Sequence, residues 1–208
     1  SEACFSIAEH LECVQRRLDR LQKIESHSAT DQQAEAFVRN QLNPAWEKVR
    51  AEVSGGAGQT LSDILPQSHR CLSPSDFGFH NALLTADGQL RFFDFEYAGW
   101  DDPAKLICDF FCQPQLAVGA ERWEAFAVPL ASALEMGNAL NLRAKLLLPA
   151  YQIKWCCIML NDFTRTEQAR REFALGDHAT EERKQTQLEK AQKAFDSRNN
   201  VPAFRLAL

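Results

Sequence analysis

Apolar residues recur at helical spacing from the start of the chain. Within residues 5–24, Leu11, Val14, Leu18 and Leu21 share one face, with Arg16, Arg17, Asp19 and Arg20 between them, the period of an amphipathic helix. A polar loop over 26–30 follows. Asp31 reads as the N-cap of a second run, 31–53, which carries Phe37, Val38, Leu42, Trp46, Val49 and Val53. Pro44 is expected to divide that run, with Asn43 capping the second part and Pro44 at its first position. Ser54-Gly55-Gly56-Ala57-Gly58 reads as a break. It has no Gly-x-x-x-x-Gly-Lys-Ser/Thr pattern and comes after a helix rather than a strand, so it is a helix end and loop, not a phosphate cradle. A short helix is expected over 61–65, and longer ones over Pro103–Cys112, 121–136 and 142–163, with Pro149 kinking or restarting the last. Residues 180–195 form a charged, weakly apolar helix expected to be a solvated outer face, and 198–208 a tail.

One stretch departs from the helical period. Residues 82–85 and 90–93 are short β-prone runs flanking Ala86-Asp87-Gly88-Gln89, the signal of a tight hairpin. A two-residue type I′ turn at Asp87-Gly88 would set Thr85 opposite Leu90, Leu83 opposite Phe92 and Asn81 opposite Asp94. Directly opposed side chains have Cβ atoms roughly 4.5–5.5 Å apart, so the hairpin would present an amide oxygen and a carboxylate together. Asp76 lies five residues upstream of Asn81, on a Ser-Pro-Ser turn. Oxygen donors in this number suit Mg²⁺, which takes few protein ligands and keeps water and phosphate for the rest.

Asp76-x-x-x-x-Asn81, a hairpin and then Asp94-Phe95-Glu96 resembles the catalytic and metal-binding loops of the kinase-like small-molecule phosphotransferases. That family holds the aminoglycoside phosphotransferases and the choline/ethanolamine kinases, distant relatives of the protein kinases. The run from Glu96 to Pro103 is similar to the segment just after the metal-binding Asp in that family. By this resemblance Asp76 matches the catalytic base, and Asn81 and Asp94 match the Mg²⁺ ligands. The resemblance is confined to residues 72–111, and it has departures. Pro74-Ser75 stands where the family has His-Gly, His80 where a Gly precedes the Asn, and Leu106 where an Asp is often repeated.

The resemblance implies an ATP- and Mg²⁺-dependent enzyme, using ATP or another nucleoside triphosphate to phosphorylate a hydroxyl of a small molecule such as an aminoglycoside, choline or a sugar. The expected fold is mostly α with a small β-hairpin (α+β), the C-terminal lobe of the protein-kinase-like fold. Leading helices would fill 1–58, the catalytic and metal-binding loops 61–103, a substrate-side helical bundle 104–197 and the tail 198–208. The residues before Leu61 show no run of strands and no Val-x-Ile-Lys-like segment, so the N-terminal ATP-grasping lobe is expected to be absent from this chain. That lobe would be a partner if the chain is a fragment.

Further candidates carry two readings each. Glu96 is outer support for the metal loop or a surface carboxylate. Asp101 and Asp102 recognise a cationic acceptor, or Asp102-Pro103 is a helix N-cap and first residue. Lys154, beside Trp155 in an apolar helix, meets an acidic acceptor or snorkels. His80, next to a ligand position, is expected to pack or hydrogen-bond.

At 208 residues, 45% hydrophobic and 25% charged, the chain is an ordinary globular domain. A net charge of −5 argues against nucleic-acid or anionic-membrane partners, and no window approaches the roughly 20 apolar residues of a membrane span. Seven cysteines without zinc spacing point to free thiols in a reducing, cytoplasmic compartment. Two other classes stay open: a non-catalytic kinase-like binding module, and a helical scaffold domain in which the hairpin is structural.

Overall fold

The computed structural model describes residues 2–164 and 177–198. Helix α1 (Ile7–Leu21) starts at Ser6, whose hydroxyl accepts from Glu9 N while the Glu9 carboxylate returns to Ser6 N, a complete capping box. The same device starts α2 (Ala29–Phe37), with Ser28 at the cap and Asp31 three residues in. Asp31 is thus the reciprocal partner of the cap rather than the cap itself. Pro44 does not divide the run. The chain passes through a π-helical turn, Val38–Leu42, and continues as α3 (Asn43–Ala57). A wider turn upstream accommodates a proline that can neither donate nor tolerate the carbonyl four residues back.

Helix α3 continues past the expected break at 54 and stops at Gly58, whose φ of +54° suits glycine. Within it, Gly56 lets α3 close on a later helix: a Cβ there would lie 2.7 Å from Leu146 Cδ1. Residues 61–65 form a turn and loop rather than a helix. They lie along the N-terminal segment through Ala8 N→Leu61 O and Leu65 N→Phe5 O.

Two small antiparallel sheets come next. Strand β1 (Cys71–Ser73) pairs with β4 (Gly99–Asp101), a pairing the sequence pattern does not signal, and β2 (Ala82–Leu84) pairs with β3 (Leu90–Phe92). Helix α4 (Pro103–Cys112) begins where the pattern put it, with Asp102 Oδ1 accepting from Ala104 N at 2.8 Å. Helix α5 (Trp123–Ala133) precedes α6 (Asn138–Met159), which runs through Pro149 without ending.

Helix α6 is the axis of the molecule. Leu140, Ala144, Leu147, Ala150 and Ile153 are fully buried along it, and α1, α3, α4, α5 and the C-terminal helix α7 (Asp177–Ser197) all pack on it. A helix packed against five others, and buried round most of its second half, loses the one-sided pattern of a surface helix. Helix α7 is not a solvated outer face. Leu188, Ala191 and Phe195 are buried, and Phe195 meets the Phe37 ring edge-on at 5.4 Å. Of the expected tail, residues 199–208 lie outside the described residues. No described helix is long and apolar enough to cross a membrane.

Candidate functional site

The loop after β1 carries Asp76, and three neighbours fix it. Phe77 sets its half-buried ring against Phe92 of β3 and Phe110 of α4, with centroids at 4.9 and 5.5 Å, and Phe110 in turn stacks on Phe126 of α5 at 4.6 Å. Aromatic pairs at such distances contribute about 0.5–1.5 kcal/mol beyond burial. Asn81 Nδ2 donates to the Asp76 carbonyl at 2.9 Å, closing the loop on itself. His80 Nε2 stands 3.1 Å from Asp76 Oδ1. Because a carboxylate accepts, the bond runs from His80 Nε2–H to Asp76, and the buried Nδ1 has no hydrogen-bond partner among the described residues.

Ser75 holds a left-handed φ of +71°, the backbone that favours glycine, which explains why a Gly suits this position in the resembling pattern. Its hydroxyl donates to the Tyr97 carbonyl at 3.0 Å, tying the Asp76 loop to the Asp94–Tyr97 loop.

The hairpin register is shifted by one residue from the expected alignment. Ala82 faces Phe92 and Leu84 faces Leu90, while Thr85 N donates to Gln89 O and Phe93 N to Asn81 O. Asn81 therefore opposes Phe93, and the direct Asn81–Asp94 pairing is not formed. The cause is the turn. Gly88 N donates to Thr85 O and Gly88 has φ +80°, which makes a three-residue loop, Ala86-Asp87-Gly88, with a glycine bulge in place of a two-residue turn. Asp94 comes shortly after at φ +64°, so its side chain leaves the strand's alternation. It is exposed and, among the described residues, has no hydrogen-bond or ion-pair partner.

Asp76 and His80 lie on the wall of a cleft of about 670 Å³, with Lys154 and Trp155 of α6 on the same cleft. Asp109 of α4 sits buried behind them. Its carboxylate accepts from Lys154 Nζ at 2.9 and 3.1 Å and from Trp155 Nε1 at 2.8 Å. Lys154 is thus buried and ion-paired rather than snorkelling. Toward the N-terminus, Glu2 pairs with Arg17. Burial would raise the Glu2 carboxyl, but Arg17 and Lys154 outweigh it and hold it below its ordinary range. Lys105 pairs with Asp101 and donates to Glu2 O. Despite burial, Asp109 and Asp101 keep its ammonium above the usual lysine value.

Of the remaining expected residues, Glu96 is exposed on the loop after the hairpin and outside the cleft. Asp101 is not among the residues that line the cleft. It is buried and accepts from Cys4 N, Asp102 N and Lys105. Asp102 is equally committed, to the α4 cap, to His10 Nε2 at 3.0 Å and to Arg143 at 2.6 Å. Sequence reasoning passed over Phe77, Lys105 and Asp109. Asp101, Lys105 and Asp109 fall four residues apart leading into and along an otherwise apolar helix, a signal that could have marked them as a buried charge ladder.

Asn81 Oδ1 and the Asp94 carboxylate are hard oxygen donors without other partners among the described residues, a donor set that suits Mg²⁺. Among the described residues no cluster of three His, Cys, Asp or Glu side chains is gathered for a metal.

No family model matches this chain, and no curated protein matches by sequence. Among solved structures, an ethanolamine kinase from Plasmodium vivax superposes with a TM-score of 0.52 at 15% identity, over 93% of this chain and 51% of that one. The chain therefore shares its fold with about half of a small-molecule kinase and spans about half that kinase's length.

Proposed function

We propose that this chain is the acceptor-side lobe of an ATP- and Mg²⁺-dependent phosphotransferase acting on a hydroxyl of a small molecule. The observation that carries this reading is Asp76: a carboxylate braced by Phe77, His80 and Asn81 on the wall of the cleft, in a chain that shares its fold with a small-molecule kinase. Asp76 orients the acceptor hydroxyl and takes its proton, with Oδ1 held by His80 and Oδ2 left for the substrate. Asn81 Oδ1 and Asp94 would hold Mg²⁺, which when bound neutralises charge on the nucleotide phosphates.

About half of the ethanolamine kinase chain is not matched by this chain. Leu72, Leu83, Leu84, Leu90 and Trp100 of the two sheets, with Phe93 just after β3, are exposed, and we assign this apolar surface to a strand-rich nucleotide-holding lobe. That lobe is the chain's own N-terminal lobe if the chain is part of a longer protein. All seven cysteines are free, in keeping with a reducing, cytoplasmic setting.

The test is ADP release by the full natural protein with Mg²⁺·ATP over a panel of hydroxyl compounds. Asp76→Asn should lower kcat by about 10²–10⁴-fold without moving Tm, and Asp94→Ala should remove thermal stabilisation by Mg²⁺·ATP. An Asp76→Asn protein as fast as its parent overturns the assignment. The shifted hairpin register and the left-handed Ser75 favour a second reading, a kinase-like binding module without turnover. Nucleotide-dependent stabilisation with no ADP release on any acceptor would support it.

A further inference from the structure

The charges on the cleft are settled by partners in a pattern that says what the cleft leaves open. Arg17, Lys105, Lys154, Arg183 and Lys190 line it, against Glu2, Asp76, Asp109 and Asp162. Three of the four carboxylates are already neutralised. Glu2 pairs with Arg17, Asp109 with Lys154, and Asp162 with Arg183 at 2.8 Å. Lys105 is satisfied from behind the wall by Asp101. The Tyr151 ring is taken as well, since Lys154 Nζ lies 4.6 Å from its centroid. The remaining carboxylate, Asp76, is held by His80 and stands where the reacting hydroxyl is placed.

On the cationic side something is left over. Lys190 of α7 is exposed toward the cleft and has no partner among the described residues, and Arg17 Nε is buried with no acceptor. Among the described residues, a cationic acceptor would find no carboxylate on the cleft other than Asp76 left unpaired, and it would meet an unpaired ammonium. An anionic group would find one unpaired cation and one unfilled donor. Asp101 and Asp102, the acidic pair with the right charge to recognise a cation, are buried in the fold.

We infer that the cleft takes a hydroxyl compound carrying an anionic group, with the hydroxyl at Asp76 and the anionic group recognised by Lys190. This rests on the phosphotransfer reading only for the placement of the hydroxyl. Lys190 is the specificity-determining residue of the arrangement. Because it is a solvent-facing position on a helix, exchanging it for another good helix former leaves the fold intact.

The test is calorimetric binding to the full natural protein of three sugars of one size and different charge: glucuronate, glucose and glucosamine. Glucuronate should bind at least about tenfold more tightly than glucosamine, the difference of 1.4 kcal/mol, and should weaken as salt rises. Lys190→Glu should abolish that preference and leave glucose unchanged. Glucosamine binding as well as glucuronate, no measurable glucuronate binding, or a glucuronate affinity indifferent to Lys190→Glu each overturns the inference. The two readings fail separately. Phosphate transfer that favours amino alcohols would remove this inference and keep the phosphotransferase. A Lys190-dependent preference for glucuronate in a protein that transfers no phosphate would do the reverse.

Discussion

Ser75 and Asp94 carry side chains on left-handed backbone, at φ +71° and +64°, a conformation that costs an L-residue roughly 1–2 kcal/mol. Ser75→Gly and Ser75→Ala both remove the hydroxyl that donates to Tyr97 O, so comparing them isolates the backbone cost. The Gly protein should be the more stable of the two by about 1 kcal/mol after its greater unfolded-state entropy is counted, read from urea denaturation. Asp102 is the residue whose charge matters most to the fold. Burial would raise its pKa, but His10 and Arg143 outweigh burial and lower it. Its stabilisation is therefore complete above the unfolded value of about 3.9 and is lost as pH falls through the lower folded value. His10 is held in turn by the Tyr151 hydroxyl at 2.7 Å. Replacing Asp102 by Ala should cost about 3–5 kcal/mol at neutral pH, and Asp102→Asn should flatten the acid limb of the stability curve measured by urea titration. The cap role of Asp102 was legible from the Asp-Pro dipeptide. Its bonds to His10 and Arg143, residues distant in sequence, were not.

At the scale of elements, local pattern succeeded where one side of a helix faces the core and failed where burial depends on a distant neighbour. Helix α4 starts as read because Asp102-Pro103 is a local start signal. Helix α7 looked solvated because Glu, Lys and Gln dominate it, yet three apolar positions reach the core. Phe195→Ala should cost about 3 kcal/mol rather than the few tenths of a surface change, as measured by thermal or urea unfolding. The hairpin shows a finer ambiguity. Asp-Gly serves both a two-residue turn and a three-residue loop with a glycine bulge, and the choice moves the whole register by one residue.

Over the whole molecule, the apolar residues left exposed on the two sheets stand out against a core organised around α6. Large exposed apolar surface marks an interaction site or an aggregation liability. The chain without a partner lobe should self-associate with rising concentration in sedimentation velocity, and Leu84→Lys with Trp100→Lys should suppress this without lowering Tm. If the doubly substituted protein unfolds instead, those side chains serve the fold and not a partner.

The sequence by itself determined the helical character, the hairpin, the Asp76-to-Asn81 spacing and the cap at Asp102, because each depends on residues within a turn or two of one another. Only the tertiary structure decided which charges face the cleft and which are spent inside the fold. Asp109 is bound to Lys154 and Trp155 across two helices, and Asp101 to Lys105 and the N-terminal segment of the chain. The four-residue spacing of Asp101, Lys105 and Asp109 marks a charge ladder within one segment, but the partners Lys154, Trp155 and Cys4 come from packing over long sequence separations, which that segment's own composition does not carry.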